Sequence, residues 1–151
     1  MGTCLVSLPP GSSFDSYYNQ VFVRAIMRAG FRPVRADDID RHRAIEYRIR
    51  NDVAEAAICV VDLTGRNVNV LYVLGLAHGM GKPVLLLVQN ADDLPFDLRL
   101  VRHLLYRPGT AKWEDMLSLQ LQGAIRDFVA ASSGTCTGVV LAASGSRART
   151  S

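Results

Sequence analysis

Apolar and polar positions divide the middle of the chain into two strands around one helix. Apolar residues fill Ile58 to Val61 and Val84 to Val88, and a helical pattern runs between them from Val70 to Met80. Runs that are apolar at every position indicate strands covered on both faces, as in a parallel sheet. The segment therefore predicts a βαβ unit with a right-handed crossover.

Similar patterns continue on both sides of this unit. The predicted elements are, in order, a strand at 5–8, a helix at 17–29 ended by Gly30, a more polar edge strand at 31–36, a helix that buries Ile45, Ile49, Val53 and Ala56, the central unit, a short strand at 104–106 and a helix at 112–130. Ser13 or Asp15 is the expected cap of the first helix. This order predicts a flavodoxin-like α/β three-layer sandwich with a five-stranded parallel sheet.

The last predicted helix supplies one side of the core. Its apolar positions recur at helical spacing and are expected to pack on the sheet: Trp113, Met116, Leu117, Leu121, Ala124 and Phe128. We place the single domain at residues 1–131. Residues 132–151 are rich in Ser, Gly and Ala, and we expect them to be largely disordered.

Composition excludes several classes of protein. Of the formal net charge of +3, two charges belong to Arg147 and Arg149 in the tail, so the nearly neutral body does not favour a nucleic-acid polymer as partner. Three cysteines without a CxxC spacing suggest neither a disulfide framework nor a zinc site. No apolar run approaches the roughly 18 residues of a membrane helix. A soluble cytoplasmic protein that does not bind membranes is expected.

Polar residues follow the central strand at the point where it ends. Asp62, Thr64, Asn67 and Asn69 all lie between that strand and the next helix. In open parallel sheets, ligands bind beyond the carboxyl ends of the strands. These residues are therefore the first candidates for a binding site.

Two functions common in this architecture fit poorly. A phosphoacceptor receiver needs acidic residues after the first strand, where this chain has Ser7-Leu8-Pro9, and a lysine after the last strand, where it has Tyr106-Arg107. A flavodoxin needs a phosphate loop that opens a helix with glycine, and no GxGxxG fingerprint is present. No cofactor is expected.

The segment DLTGRNVNVLYVLGLAH, from Asp62 to His78, followed by Gly81-Lys82-Pro83, resembles a motif of the nucleoside 2-deoxyribosyltransferase-like family, relatives of TIR-type NAD-cleaving domains. The family motif reads D-L-T-x-x-N-x-N-V-x-Y-E-L-G-x-A-H-x-x-x-K-P. Three further segments match in order: the strand and turn at 5–10, Arg35-Ala36-Asp37, and Pro95 to Arg99.

The resemblance implies chemistry at the N-glycosidic bond of a nucleoside or nucleotide. In family enzymes a carboxylate of the central helix attacks the sugar or balances its developing positive charge. Leu8, Pro9, Asp37, Asp62, Asn67 and Asn69 are the substrate-binding candidates. The resemblance also implies a homodimer or a higher homo-oligomer.

This chain departs from the motif at the catalytic position. Val73 stands where the family has its glutamate, and a valine cannot attack, transfer a proton or balance a cation. We expect a nucleotide-binding domain with impaired cleavage. The alternative is an active N-glycosidase or deoxyribosyltransferase that uses Asp62 or a carboxylate of another subunit.

Each candidate also has a purely structural interpretation. Val73 is a core residue, Asp62 caps the following turn, Asp37 caps a helix, and Asn67 and Asn69 cap the central helix. His78 favours a structural or interface role. Arg99 and Arg102 are expected to pair with Asp92, Asp93 or Asp97 rather than with a phosphate.

Overall fold

The structure, a computed structural model, describes residues 1–36 and 45–133. Five parallel strands form one sheet in the order β2-β1-β3-β4-β5. They are β1 (Thr3–Ser7), β2 (Arg32–Arg35), β3 (Ile58–Asp62), β4 (Val84–Val88) and β5 (His103–Leu105). This is the flavodoxin-like strand order, so the predicted fold class is confirmed.

Helices cover both faces of the sheet. The bounds are α1 (Ser12–Tyr17), a π-helical turn (Tyr18–Phe22) that runs on into α2 (Val23–Arg28), then α3 (Ile45–Glu55), α4 (Val68–Gly79) and α5 (Trp113–Ser133). Gly30 has a φ of +92°, which confirms its role in ending α2. The connection from β4 to β5 holds only two short 3-10 turns, Ala91–Asp93 and Phe96–Leu98.

The first helix differs from the expectation at its start. It begins at Ser12 with Gly11 as its N-cap, and no side chain caps it. Asp15 lies inside the first turn, where its charge faces the positive end of the helix dipole. The prediction of a Ser13 or Asp15 cap was therefore wrong.

Alternate residues of the strands point to two separate apolar cores. On the first face of the sheet, Val6, Val60 and Leu87 pack with α2 and α5. On the second face, the core contains strand residues such as Leu5 and Val61 together with α3 and α4. All five residues of β3 and of β4 are buried, as expected for central strands covered on both sides.

Most of the residues of α5 that were predicted to pack on the sheet do so, and the prediction for Met116 was wrong. Leu117, Leu121 and Ala124 are buried in the first core. Met116 is 58% exposed, and Ile125 is fully buried although it was not among the expected residues. Met116 directly precedes the buried Leu117, so it turns to solvent about 100° around the helix.

The cysteines of the described residues are not poised for reaction. Cys4 and Cys59 are free and buried. Burial raises the pKa of the Cys59 thiol to about 11, although the nearby charge of Lys82 opposes this. Within the described residues no helix has the length and apolar character needed to cross a bilayer.

Candidate functional site

The topological switch point of the sheet lies between β1 and β3. From β1 the chain crosses to β2 at one side, and from β3 it crosses to β4 at the other. Ser7 pairs with Val61, so the two strands end at the same level, and Asp62 lies one residue further along. The loops leaving the two strands must separate here, and such a point is where doubly wound folds bind ligands.

The turn after β1 is well packed. Leu8 belongs to the first core, and Pro9 is also buried. Gly11, which follows, has a φ of +132°, a backbone conformation that favours glycine. Leu8 and Pro9 therefore shape the edge of the switch point with apolar groups and backbone.

Asp62 is completely buried and is held by hydrogen bonds to both carboxylate oxygens. Its Oδ1 accepts bonds from the Thr64 backbone N–H at 2.9 Å and the Thr64 hydroxyl at 2.6 Å. Its Oδ2 accepts a short hydrogen bond from the Tyr106 hydroxyl. The interpretation of Asp62 as the cap of the following turn matches this geometry.

These bonds are part of a closed polar ring. The Gln89 side-chain amide donates to the Tyr106 hydroxyl at 3.1 Å, and the Gln89 backbone N–H donates to the Thr64 hydroxyl at 3.1 Å. Asp62 is the last residue of β3, Gln89 follows β4 and Tyr106 follows β5. The ring therefore ties together the carboxyl ends of three adjacent strands.

Burial governs the ionisation of this ring. Desolvation raises the pKa of the Asp62 carboxyl, and the bonds from Thr64 and Tyr106 only partly oppose it. Burial raises the pKa of the Tyr106 hydroxyl, and the charge of the adjacent Asp62 raises it further. Asp62 has no exposed surface to offer a substrate, so its geometry favours the structural role over nucleophilic catalysis.

Val73 lies on the opposite face of the sheet from Asp62. It is 3% exposed and belongs to the second core, with Val70 and Leu74 of the same helix. The Asp62 side chain points to the first face, toward Tyr106 of the first core. The structure therefore does not bring these two candidates together into one polar cluster.

Asn67 immediately precedes α4 and Asn69 lies in its first turn, and the two side chains have different surroundings. The Asn67 side chain caps the helix by accepting from the backbone N–H groups of Asn69 at 3.0 Å and Val70 at 3.2 Å. The side chain of Asn69 is exposed on the first turn of α4. Of the two residues, Asn69 is the one positioned to meet a ligand.

The Arg35-Ala36-Asp37 segment is described only in part, because Asp37 lies outside the described residues. Arg35 ends β2 and is paired with Val6 of β1. Its guanidinium forms an ion pair of 2.6 Å with Asp15 and lies 5.4 Å from the centroid of the Tyr18 ring. The arginine thus links the end of β2 to the first helix.

The Gly81-Lys82-Pro83 segment has a structural explanation. The Lys82 ammonium donates to the carbonyl oxygens of Ala54 at 2.6 Å and Ala56 at 3.0 Å. These carbonyls lie at the C-terminal end of α3, where a positive charge also complements the helix dipole. Gly81 has a φ of +67°, which the tight turn into β4 requires.

The prediction that Arg102 pairs with an acid of the preceding loop was wrong. Arg102 bonds to Asp127 of α5 at 2.9 Å, not to an acid of the preceding loop. The loop acids serve the turn after β3 instead. Asp93 accepts from the Gly65 backbone N–H at 2.8 Å, and the Asp92 carbonyl oxygen accepts from Arg66.

The sequence interpretation missed Tyr106 and its aromatic neighbours. The Tyr106 ring lies 6.2 Å from Trp113 and 6.4 Å from Tyr17, measured between ring centroids, and Phe14 contacts Tyr17 at 5.7 Å. Tyr106 was noted only as the end of a strand. No signal in the sequence could have revealed the ring, because Tyr106 and Asp62 lie 44 positions apart and only the fold brings them together.

The described part of the chain contains no cluster of three or more His, Cys, Asp or Glu side chains suited to a metal ion. The arrangement at the switch point can instead offer apolar walls, the amide of Asn69 and the N-terminal end of α4. Those groups suit recognition of a polar organic molecule better than proton transfer or nucleophilic attack.

Comparison with known proteins gives structural matches only. No family model matches the sequence, and no curated protein matches it. The CMP N-glycosidase BcmB of Clostridium botulinum has a similar structure, with a TM-score of 0.58 and 13% identity over 79% of this chain and 98% of the other. A 2-deoxyribosyltransferase from Leishmania mexicana aligns with a TM-score of 0.49 and 20% identity over 58% of this chain and 65% of the other.

An identity of 13% carries information on the fold and not on the reaction. The alignment with the glycosidase nonetheless spans nearly the whole of that protein, 98% of its chain. The chain therefore has the nucleoside 2-deoxyribosyltransferase-like fold.

Proposed function

We propose that the chain is a nucleoside- or nucleotide-binding domain in which cleavage of the N-glycosidic bond is impaired. Val73 stands at the motif position of the catalytic glutamate and is buried among apolar side chains. This observation carries the proposal, because an aliphatic group cannot balance the positive charge that develops on the sugar.

The surroundings of Asp62 support the same conclusion. An attacking carboxylate must reach the sugar carbon, and Asp62 has both oxygens engaged and no exposed surface. Releasing it would leave the Tyr106 and Thr64 hydroxyls without their acceptor. Breaking such buried bonds costs about 1 to 3 kcal/mol for each group left unpaired.

Binding of a nucleotide does not require a carboxylate at the catalytic position. The fold provides a switch point between β1 and β3, and Asn69 stands exposed beside it on the first turn of α4. Backbone N–H groups of a helix N-terminus favour oxygen atoms that carry negative charge. We also propose that the chain works as a homo-oligomer, as its resemblance to the deoxyribosyltransferase-like family implies.

The first experiment measures binding and turnover on the unmodified chain. Nucleosides, nucleoside monophosphates and NAD are incubated with the protein, and free base is followed by chromatography while melting temperature is recorded. We expect at least one nucleotide to raise the melting temperature. At a hundred times its dissociation constant, such a ligand adds about 2.7 kcal/mol to the free energy of unfolding. Base release should stay near background.

Two outcomes contradict the proposal. Efficient release of base from any compound shows that the domain is a working glycosidase, and the absence of any thermal shift across the panel shows that it does not bind nucleotides. Val73→Glu, compared with Val73→Gln of the same size, then isolates the carboxylate. Because Val73 is buried in the second core, we expect neither variant to release base above background. A gain in rate of the glutamate variant over the glutamine variant shows that position 73 opens to the ligand and that only the attacking carboxylate is missing.

A further inference from the structure

The two halves of the polar ring differ in whether their hydrogen bonds can reverse. On the first half, the backbone N–H of Gln89 donates to the Thr64 hydroxyl, and the backbone N–H of Thr64 donates to Asp62 Oδ1. A backbone N–H can only donate, so the Thr64 hydroxyl, which already accepts from Gln89, passes its own hydrogen to the same Oδ1. This half holds Asp62 Oδ1 as an acceptor.

The second half of the ring runs through side chains only. The Tyr106 hydroxyl donates to Asp62 Oδ2 and accepts from the Gln89 side-chain amide at 3.1 Å. A hydroxyl exchanges these two roles by rotating its hydrogen, and an amide exchanges its donor for its acceptor by turning over. Both hydrogen bonds can therefore reverse direction while the three groups stay in contact.

A proton on Asp62 requires this reversal. The arrangement in the structure sends donors to both oxygens of Asp62, which suits a carboxylate because a carboxylate can only accept. A proton taken up from water forms an O–H bond at Oδ2, since Oδ1 is held by Thr64. The new O–H donates to the Tyr106 oxygen, and the Tyr106 hydrogen turns to the carbonyl oxygen of the Gln89 amide. No other covalent bond changes.

The proton equilibrium belongs to Asp62 rather than to its neighbours. Desolvation raises the pKa of the Asp62 carboxyl, and the charge of Asp93 in the turn after β4 adds to this. Tyr106 keeps its hydrogen, because burial and then the charge of Asp62 raise its own pKa. Of the helices on this face, α1 contributes Tyr17 and α5 contributes Trp113, and both rings contact the Tyr106 ring.

Gln89 carries the reversal to the surface of the protein. It is half-buried directly after β4, at the carboxyl edge of the sheet. Its amide nitrogen donates to Tyr106, whereas its carbonyl oxygen meets no donor within residues 1–36 and 45–133 and is not buried. The amide therefore turns an acceptor outward when Asp62 is charged and a donor outward when Asp62 is neutral.

The surroundings of Gln89 suit a nucleobase better than a phosphate. Half-buried aromatic rings, Tyr17 and Trp113, lie against Tyr106, to which Gln89 is bonded. Flat aromatic surface favours stacking with a base. The charge of Asp93, which acts on Asp62, would repel a phosphate at the same place.

We propose that Gln89 reads the base of a bound nucleotide, and that Asp62 sets the preference of Gln89 through Tyr106. With Asp62 charged, the outward carbonyl oxygen accepts from an exocyclic amino group, as on cytosine or adenine. With Asp62 neutral, the outward NH₂ donates to a ring carbonyl, as on uracil or hypoxanthine. Gln89 contacts the base, and Asp62 and Tyr106 are positioning residues. The inference rests on the proposed function, because it requires a nucleotide at the carboxyl edge.

The relay from Asp62 through Tyr106 to Gln89 is tested first without any nucleotide. The side-chain NH₂ of Gln89 gives a pair of nuclear magnetic resonance signals, which Gln89→Leu identifies by removing them. From pH 4 to 8 these signals should shift with a one-proton transition. Tyr106→Phe and Asp62→Asn should abolish the transition, whereas Asp115→Asn, which changes an exposed carboxyl of α5, should keep it. Wild-type signals that do not titrate, or a transition that persists in Tyr106→Phe, disprove the relay.

Nucleotides matched except at one exocyclic group test the reading of the base. The monophosphates of cytidine and uridine carry an amino group and a carbonyl group at the same position, and so do those of adenosine and inosine. In a pair that binds, we expect the amino member to be favoured about tenfold at pH 8, the effect of one hydrogen bond. The preference should shrink at pH 5. Calorimetry gives the ratio of the two affinities, in which ionisation of the phosphate cancels.

Asp62→Asn makes the sharpest test, because it alters a side chain with no exposed surface. Thr64 holds the asparagine oxygen, so the amide nitrogen faces Tyr106 and donates to it as the neutral acid does. This variant should favour the carbonyl member of the pair at both pH values. Gln89→Leu should bind both members alike. A wild-type preference that survives in either variant shows that Gln89 does not read the base in this way.

The two tests separate this inference from the proposed function. If the Gln89 signals titrate as described and no nucleotide binds, the proposed function fails, and the reading of the base fails with it while the relay stands. If nucleotides bind and the signals do not titrate, the proposed function stands and the inference is wrong.

Discussion

The two faces of the sheet differ in the side chains that they bury. The first face buries a polar ring, Asp62, Thr64, Gln89 and Tyr106, under α5, and its outer surface carries ordinary charges such as Glu114, Asp115 and Asp127. The core of the second face is apolar, and the charged residues of that face, such as Arg50 and Glu55, lie on the outer side of α3. A polar ring that is closed by hydrogen bonds is therefore buried on the first face, while the core under α4 consists of apolar side chains.

This difference separates the tasks that the motif residues perform. On the first face, Asp62 fixes the ends of three strands and so defines the shape of the switch point. On the second face, Val73 fills the core between the sheet and α4. Two residues of the same motif, eleven positions apart, thus act in separate cores.

The largest expected effect tests whether water is excluded from the core around Val73. Val73→Glu buries a carboxylate among apolar side chains, and we expect it to lower the free energy of unfolding at pH 7 by on the order of 4 kcal/mol. Burial raises the pKa of the new acid, so the loss should be small below about pH 4 and grow as pH rises through that raised pKa. Urea unfolding at several pH values measures it.

Leu119→Glu is the matched control on α5. Leu119 is 69% exposed, so the same carboxylate should change stability by no more than about 0.5 kcal/mol there. A cost below about 1 kcal/mol for Val73→Glu contradicts the apolar surroundings of Val73 and shows that the position opens to water or ligand.

A smaller effect is expected from the polar ring of the first face. Tyr106→Phe removes the donor to Asp62 and the acceptor of the Gln89 amide, and we expect a loss of about 2 kcal/mol. Tyr72→Phe removes a phenol hydroxyl from a half-exposed ring and should change the free energy of unfolding little. Equal losses for the two variants are incompatible with a ring that holds the strand ends.

Hydrophobic patterning was sufficient for the fold but not for the ring. Short continuous apolar runs between polar turns, such as Ile58 to Val61, indicate strands covered on both sides, so the order of strands and helices along the chain followed from the sequence. Tyr106 lies 44 positions from Asp62. No local pattern reports a hydrogen bond between residues so far apart, because it depends on which strands become neighbours.

The sequence predicted where the candidate residues lie in the fold better than what surrounds them. The ends of β1 and β3 were predicted to within one residue, and they share one edge of the sheet because the strands are parallel. Asn69 and Val73 lie four positions apart on α4, yet Asn69 is exposed and Val73 is buried. Which side of α4 meets the sheet is decided by packing, with Val70, Leu74 and Ala77 on the buried side.

The smallest expected effect is the part of the pH dependence of stability that comes from Asp62. Desolvation raises the folded-state pKa of Asp62 above its unfolded value of about 3.9. Its stabilising contribution is therefore complete below about pH 3.9 and is lost as pH rises through the folded-state pKa. A single group of this kind changes stability by no more than about 1.4 kcal/mol per pH unit.

Asp62→Asn should remove that slope while it preserves the ring. The asparagine oxygen can still accept from Thr64, and its amide can donate to the Tyr106 hydroxyl. Unfolding free energies measured from pH 4 to 8 should show the wild-type protein losing stability relative to the variant as pH rises. Asp115→Asn on the exposed side of α5 should run parallel to wild type. A wild-type protein that instead gains on the variant with rising pH shows that hydrogen bonds outweigh burial at Asp62, and that the ring stabilises a carboxylate rather than a neutral acid.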